Sequence, residues 1–200
     1  MRDEPEKRIW NLVSGAATRG DLAAIAAWTF ESRQVANLKG DGGWTPLHIA
    51  VSRDELAAAR LLLEVGADPD CRSEHGWTPL HVCAASGKDD GVTLLLQWDA
   101  AVDARNGSGA TPLHLAVSSG HRSTVELLLG WGADPNLRDG RGWNALHRAA
   151  YARNPGLVEV LLARGADARA RTADGLTARD LALRVLAPEL AERLRRAAAR

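Results

Sequence analysis

The stretch "GWTPLH" at residues 43–48 recurs as "GWTPLH" at 76–81, "GATPLH" at 109–114 and "GWNALH" at 142–147. The tetrapeptide cores begin at Thr45, Thr78, Thr111, Asn144 and Thr177, each 33 residues after the last. A fixed period of this length marks a repeat architecture. Each unit is too small to bury its own apolar face and has to stack on a neighbour. Threonine caps a helix with its hydroxyl, and proline at the first helical position loses nothing by lacking an N–H. The leucine then turns inward. "TPLH" therefore reads as the start of a short helix that ends near "ASG" at 85–87 or "SSG" at 118–120.

A second helix follows in each repeat. Its mark is an apolar triplet at i, i+3, i+4: Ala59, Leu62, Leu63; Val92, Leu95, Leu96; Val125, Leu128, Leu129; and Val158, Leu161, Leu162. That spacing places the three on one helix face. The helix stops at Gly66, Gly132 or Gly165, where glycine takes the left-handed conformation. Asp99 holds that place once, and tolerates it less well.

The order helix, turn, helix, loop, with "TPLHIA", "TPLHVC", "TPLHLA" and "NALHRA" in register, resembles the ankyrin-repeat family over residues 8–196. The resemblance implies an all-α ankyrin-repeat solenoid with β-hairpin-like loops, as a single domain over 1–200. Its parts are an N-terminal capping repeat at 8–39, full repeats at 40–72, 73–105, 106–138 and 139–171, and a C-terminal cap at 172–200. It further implies a concave face of hairpin tips and first helices, which in this family usually binds other proteins. In the first cap, alignment on Gly20 gives Val13 the motif leucine's place and Trp28 a core leucine's. Trp10 then falls at the place before the motif. Asn136 holds the loop asparagine place that oxygen-dependent hydroxylases modify in similar eukaryotic repeats.

Acids and bases balance at 25 each, so the formal net charge is zero. That argues against a whole-protein footprint for nucleic acid or anionic membrane. No apolar run approaches the roughly 18 residues of a membrane span, and "MRDEPEKR" does not read as a secretory signal. Two cysteines without a CxxC fit a reducing compartment. The expectation is a cytoplasmic protein, monomeric on its own, with the nucleus or delivery into a host left open.

The motif histidines His48, His81, His114 and His147 invite a metal or general-base reading. Stacked helices sit about 8–10 Å apart, whereas ligands of one zinc ion lie about 2 Å from it. Equivalent histidines on successive repeats therefore do not converge, and each is expected to bond its own threonine and the loop. His75 and His121 read as ordinary turn or surface residues. Ser118 and Ser119 lie at a helix end, Cys83 replaces a core alanine, and Cys71 lies at a loop start. No glycine-rich phosphate loop follows a strand signal, and the basic end "RLRRAAAR" at 193–200 reads as a solvated helix face. The chain is read as no enzyme, with no cofactor and no metal.

The seven tryptophans fall into register. Trp44, Trp77 and Trp143 precede the motif, where Ala110 and Leu176 stand elsewhere. Trp98 and Trp131 share the place before the second helix's terminal glycine position. Either the rings cover neighbouring loops or they face a partner, and interfaces are enriched in tryptophan. Around them vary Asp41, Glu74, His75, Ser108 and Arg141 at the tips, and Ser52, Arg53, Ser86, Ser119, Tyr151 and Ala152 on the first helices. The expected partner surface comprises Trp44, Trp77, Trp98, Trp131, Trp143, Tyr151, Asp41, Glu74, His75, Arg141, Arg53, Ser86 and Ser119. Binding there would make the chain an adaptor or inhibitor of another protein. An immunity protein or effector acting on one specific protein is the alternative, and nucleic acid is disfavoured by the charge.

Overall fold

The computed structural model describes residues 4–199, apart from the side chains of residues 4, 5, 31 and 33. Among the described residues all regular structure is helical. The chain forms two compact units, residues up to 83 with 88–107, and residues 84–87 with 108 onward.

The first unit contains α1 (Glu4–Arg19), α2 (Leu22–Glu31), α3 (Pro46–Arg53), α4 (Leu56–Glu64), most of α5 (Pro79–Ser86), and α6 (Asp89–Gln97). First helices pack on first helices, α1 on α3. Second helices do the same, α2 on α4 and α4 on α6. The second unit repeats this with α7 (Pro112–Ser119), α8 (Arg122–Gly130), α9 (Ala145–Tyr151), α10 (Pro155–Ala163), α11 (Ala178–Arg184) and α12 (Pro188–Ala198). There α7 packs on α9 and α9 on α11, while α8 packs on α10.

The core is the one written by the repeat. Leu47, Leu80, Leu113 and Leu146 are fully buried, as are Leu62, Leu95, Leu128 and Leu161. Each contributes roughly 2 kcal/mol of apolar burial. The second helices end in the left-handed conformation at Gly66, Gly132 and Gly165, and at Asp99 with φ 59°. In the first cap Val13 is fully buried as expected. Trp28 is not: Ile25 and Thr29 take the buried places on α2, and the indole is half-exposed because it exceeds a leucine's volume.

Each hairpin is closed by its own backbone and bonded to the preceding one. Ser73 N–H donates to Trp77 O (2.9 Å), and Gly107 N–H donates to His75 O (2.8 Å). In the second unit Asp139 N–H donates to Trp143 O (2.8 Å), and Gly140 N–H to Ser108 O (2.9 Å). The asparagine place adds a side-chain rung. Asn136 Nδ2 donates to Gly165 O (3.0 Å), and its Oδ1 accepts from Asp167 N–H (2.8 Å).

The first helices are also capped from behind. Lys88 Nζ donates to Val51 O (3.1 Å) and Ser52 O (2.9 Å), the last carbonyls of α3. His121 occupies the equivalent place in the second unit, with Nε2 3.2 Å from Ala85 O. The reading of His121 as an ordinary turn or surface residue is therefore corrected: it is half-buried and engaged on one carbonyl in the last turn of α5.

Candidate functional site

In the motif, the threonine backbone N–H meets the histidine Nδ1: 3.2 Å at Thr45–His48, 3.2 Å at Thr78–His81, 3.1 Å at Thr111–His114 and 3.2 Å at Asn144–His147. A backbone N–H only donates, so Nδ1 accepts and the neutral ring carries its proton on Nε2. Nε2 then donates to the next loop: His48 to Trp77 O (2.9 Å), His114 to Trp143 O (2.9 Å), His147 to Ala170 O (3.1 Å). Burial pushes the His48 pKa down to about 4, although the bond to Trp77 O acts the other way. The His147 pKa is lowered for the same first reason. His48, His114 and His147 have both ring nitrogens in use, and the first two are bolts between repeats.

The fourth motif is the imperfect one. Asn144 Oδ1 accepts from His147 N–H (3.0 Å), but its buried Nδ2 has no partner. Replacing it with the threonine that stands at 45, 78 and 111 removes an unsatisfied donor. Asn144→Thr is expected to raise stability by about 1 kcal/mol, read as a higher urea midpoint at unchanged slope.

The first cap lacks the histidine, and Trp10 supplies its bond. Its Nε1 donates to Trp44 O (3.2 Å), the carbonyl corresponding to Trp77 O and Trp143 O. The indole lies against Gly40, where a Cβ would land on the ring. Trp10 thus sits inside α1 and takes the histidine's task rather than the hairpin tryptophan's place.

Trp44, Trp77 and Trp143 are half-buried, tilted over their own motif histidines at 5.4, 6.1 and 6.5 Å between ring centres. One side of each ring covers an imidazole and the remainder meets solvent. Ala110 at the same place is buried. Trp98 and Trp131 lie elsewhere. They form the C-terminal boundaries of α6 and α8 in the second-helix layer, with Trp131 44% exposed. No ring contact joins them to the hairpin tryptophans among the described residues. Asp41, Glu74, His75 and Arg141 are exposed at the tips, and Arg53, Ser86 and Ser119 are exposed at the ends of α3, α5 and α7.

In the second unit several of these residues converge. Arg141, Trp143, Tyr151 and Ala152 line a cleft of about 390 Å³ together with Ser118 and Arg148. Trp143 and Tyr151 meet edge to face at 5.3 Å, and Tyr151 is 55% exposed. Arg148 Nη2 donates to Asp139 Oδ2 (2.5 Å) and Nη1 to Ser118 Oγ (2.7 Å). Asp139 Oδ1 accepts from Arg141 N–H (2.8 Å) and Trp143 N–H (2.9 Å). Burial works to raise the Asp139 pKa, but those two N–H groups and the Arg148 guanidinium hold it below the ordinary carboxylate value. Arg148, Asp139 and Ser118 were not among the expected surface residues. One signal was available: the residue after the motif histidine is Ile49, Val82 and Leu115 in the other repeats, and a charge only at 148.

Neither cysteine is poised for chemistry. Burial pushes both Cys71 and Cys83 up to about 12. The Cys83 sulfur fills the space left by Gly91, where a Cβ would come within 2.7 Å of it.

Among known proteins, no curated sequence matches the chain. A family model described as ankyrin repeats, in three copies, matches residues 13–106 and again 99–172. Together those matches take in the capping helix from Val13, all four motifs and the fourth loop; the chain belongs to the ankyrin-repeat family.

Proposed function

We infer that the protein is a non-catalytic recognition module that binds another protein and acts by occupying its surface, as an adaptor or inhibitor. Ankyrin repeats are generally protein–protein interaction modules. One observation carries the reading to this chain: the recurring motif leucines are buried, while a set of variable positions on the hairpin tips and first helices is exposed. The motif leucines are fully covered, while Asp41, Glu74, His75, Arg141, Arg53, Ser86, Ser119 and Tyr151 all face solvent on the same frame. Variation on the solvent side of a rigid frame is how a scaffold is fitted to one partner. The exposed Trp131 and Tyr151 support this, since interfaces are enriched in these residue types. Among the described residues no helix is long and apolar enough to cross a membrane.

The test is affinity capture from the native cell with wild type, Trp98→Ala/Trp131→Ala and Trp143→Ala/Tyr151→Ala. A partner held through these rings should be lost or weakened by about 2 kcal/mol or more in at least one variant. Equal recovery by all three would show the aromatic side chains to be structural. Recovery of nucleic acid with a steep salt dependence would replace the reading altogether.

A further inference from the structure

The second unit's cleft departs from the rest of the frame. Ile49, Val82 and Leu115 show that the place after the motif histidine can be apolar, and those repeats have Gly40, Ser73 and Asn106 where this one has Asp139, so the repeat frame itself requires neither Arg148 nor its carboxylate partner. A guanidinium withdrawn from water is unfavourable unless paired. Arg148 is 23% exposed and pairs with Asp139, yet its buried Nε has no partner. Both Asp139 oxygens are taken, one by two backbone N–H groups and one by Arg148. Nη1 faces only the neutral hydroxyl of Ser118. Arg141 stands exposed at the rim, with no ion pair among the described residues. Counting Arg141, Arg148 and Asp139, the cleft carries 2 − 1 = 1 net positive charge. Its wall is the Trp143–Tyr151 pair. At the tyrosine's place the other full repeats have Ser52, Ala85 and Ser118, so this repeat alone joins tryptophan, tyrosine and two arginines.

The geometry points to this cleft as the seat for an acidic side chain of the protein partner, an aspartate or glutamate with an apolar neighbour. The carboxylate lies between the Arg141 and Arg148 guanidinium groups, displacing the Ser118 hydroxyl from Nη1. The neighbour's apolar surface lies on the Trp143 and Tyr151 rings. A guanidinium offers planar, directional donors that match a carboxylate, and a positive cleft with low-dielectric aromatic walls strengthens the attraction. This inference rests on the protein-binding reading and names the chemistry of its anchor.

The experiment uses the full chain, isotope-labelled for NMR. The probes are a capped Gly-Leu-Glu-Leu-Gly peptide and its glutamine counterpart, each taken to millimolar concentration. The glutamate peptide is expected to shift the Trp143 indole N–H and the Arg148 Nε–H while leaving the Trp77 indole unmoved. It should bind at least about 10-fold more tightly than the glutamine peptide, and more weakly as salt is raised. Arg148→Leu is made together with Asp139→Asn, the residue types the third repeat has at Leu115 and Asn106, so that no buried carboxylate is left without its cation. This variant stays folded, checked by its Tm, and loses the discrimination. Arg141→Gln weakens it. Equal affinity for the two peptides, no Trp143 shift at millimolar peptide, or discrimination retained in Asp139→Asn/Arg148→Leu overturns the proposal. Capture from the native cell separates the two levels. A partner recovered equally by wild type and Asp139→Asn/Arg148→Leu leaves protein binding standing and removes the acidic anchor. The absence of any partner with wild type removes protein binding itself.

Discussion

Acidification from neutral pH to pH 5 is expected to cost the fold about 2 kcal/mol through His48 alone, and about 3 kcal/mol by pH 4. The imidazole is fully buried, accepts the Thr45 N–H at Nδ1 and donates from Nε2 to Trp77 O. A proton added at Nδ1 removes that acceptor and places a charge where burial disfavours it. The folded pKa is accordingly lowered, to about 4 from an ordinary 6.5. A histidine whose folded pKa is depressed stabilises the fold above its unfolded value. That stability is lost as pH falls from about 6.5 towards about 4, because the unfolded chain takes up the proton first. His147, lowered for the same first cause, adds to the loss in the same direction. Asp139 and Asp180 also have lowered values, but they titrate below their ordinary 3.8, so the window above pH 5 belongs to the histidines. Urea unfolding between pH 7 and pH 4.5 measures this directly. His48→Gln should be less stable at pH 7 and show a flatter pH dependence. A wild-type midpoint that stays constant down to pH 5 would rule out the neutral bridging histidine.

The fold was legible because two periods agreed. The 33-residue register fixed which residues are equivalent, and the i, i+3, i+4 triplets fixed which face is buried. The fully covered Leu113 and Leu128 follow from those two facts. The partner surface was only half legible, for a physical reason. Tyr151 and Arg141 stand out as variable positions in one repeat, but Arg148 reaches Asp139 nine residues away and Ser118 thirty residues away. The first is a meeting of hairpin and helix within one repeat, and the second depends on how far one repeat steps past the next; composition encodes neither distance. Trp10 is the same case: its place in α1 gives no sign that its Nε1 will bond a carbonyl 34 residues on. The sequence register also separated the tryptophans correctly into two places. Trp98 and Trp131 end second helices and the other three precede first helices, as the register placed them; what the register did not show is that no ring contact joins the two sets among the described residues.

The motif's opening glycine carries the most demanding constraint. Gly76→Ala is expected to cost about 3 kcal/mol or more, and Gly175→Ala about 1 kcal/mol. Both residues sit in left-handed backbone, at φ 70° and 77°, so both substitutions meet the same intrinsic penalty. They differ in what lies beside them. A Cβ at Gly76 would come within 2.8 Å of the Gly107 backbone nitrogen, and one at Gly175 would meet nothing within 4 Å. The same close approach occurs at Gly43 against Glu74, at Gly109 against Gly140, and at Gly142 against Ala173. The obstruction is backbone, not the end of a flexible side chain, so relief requires parting the two hairpins. Parting them stretches the rung from Gly107 N–H to His75 O, which lies at the tip itself. The glycine therefore governs how closely tips stack, and through that where variable side chains such as Glu74 and His75 are presented. Urea midpoints of the two variants decide the matter: equal losses would mean that only the backbone conformation matters and that the hairpins do not constrain one another. A larger loss at Gly76 would tie the first letter of "GWTPLH" to the spacing of the recognition surface, as the histidine that ends the motif ties one repeat's helix to the next repeat's loop.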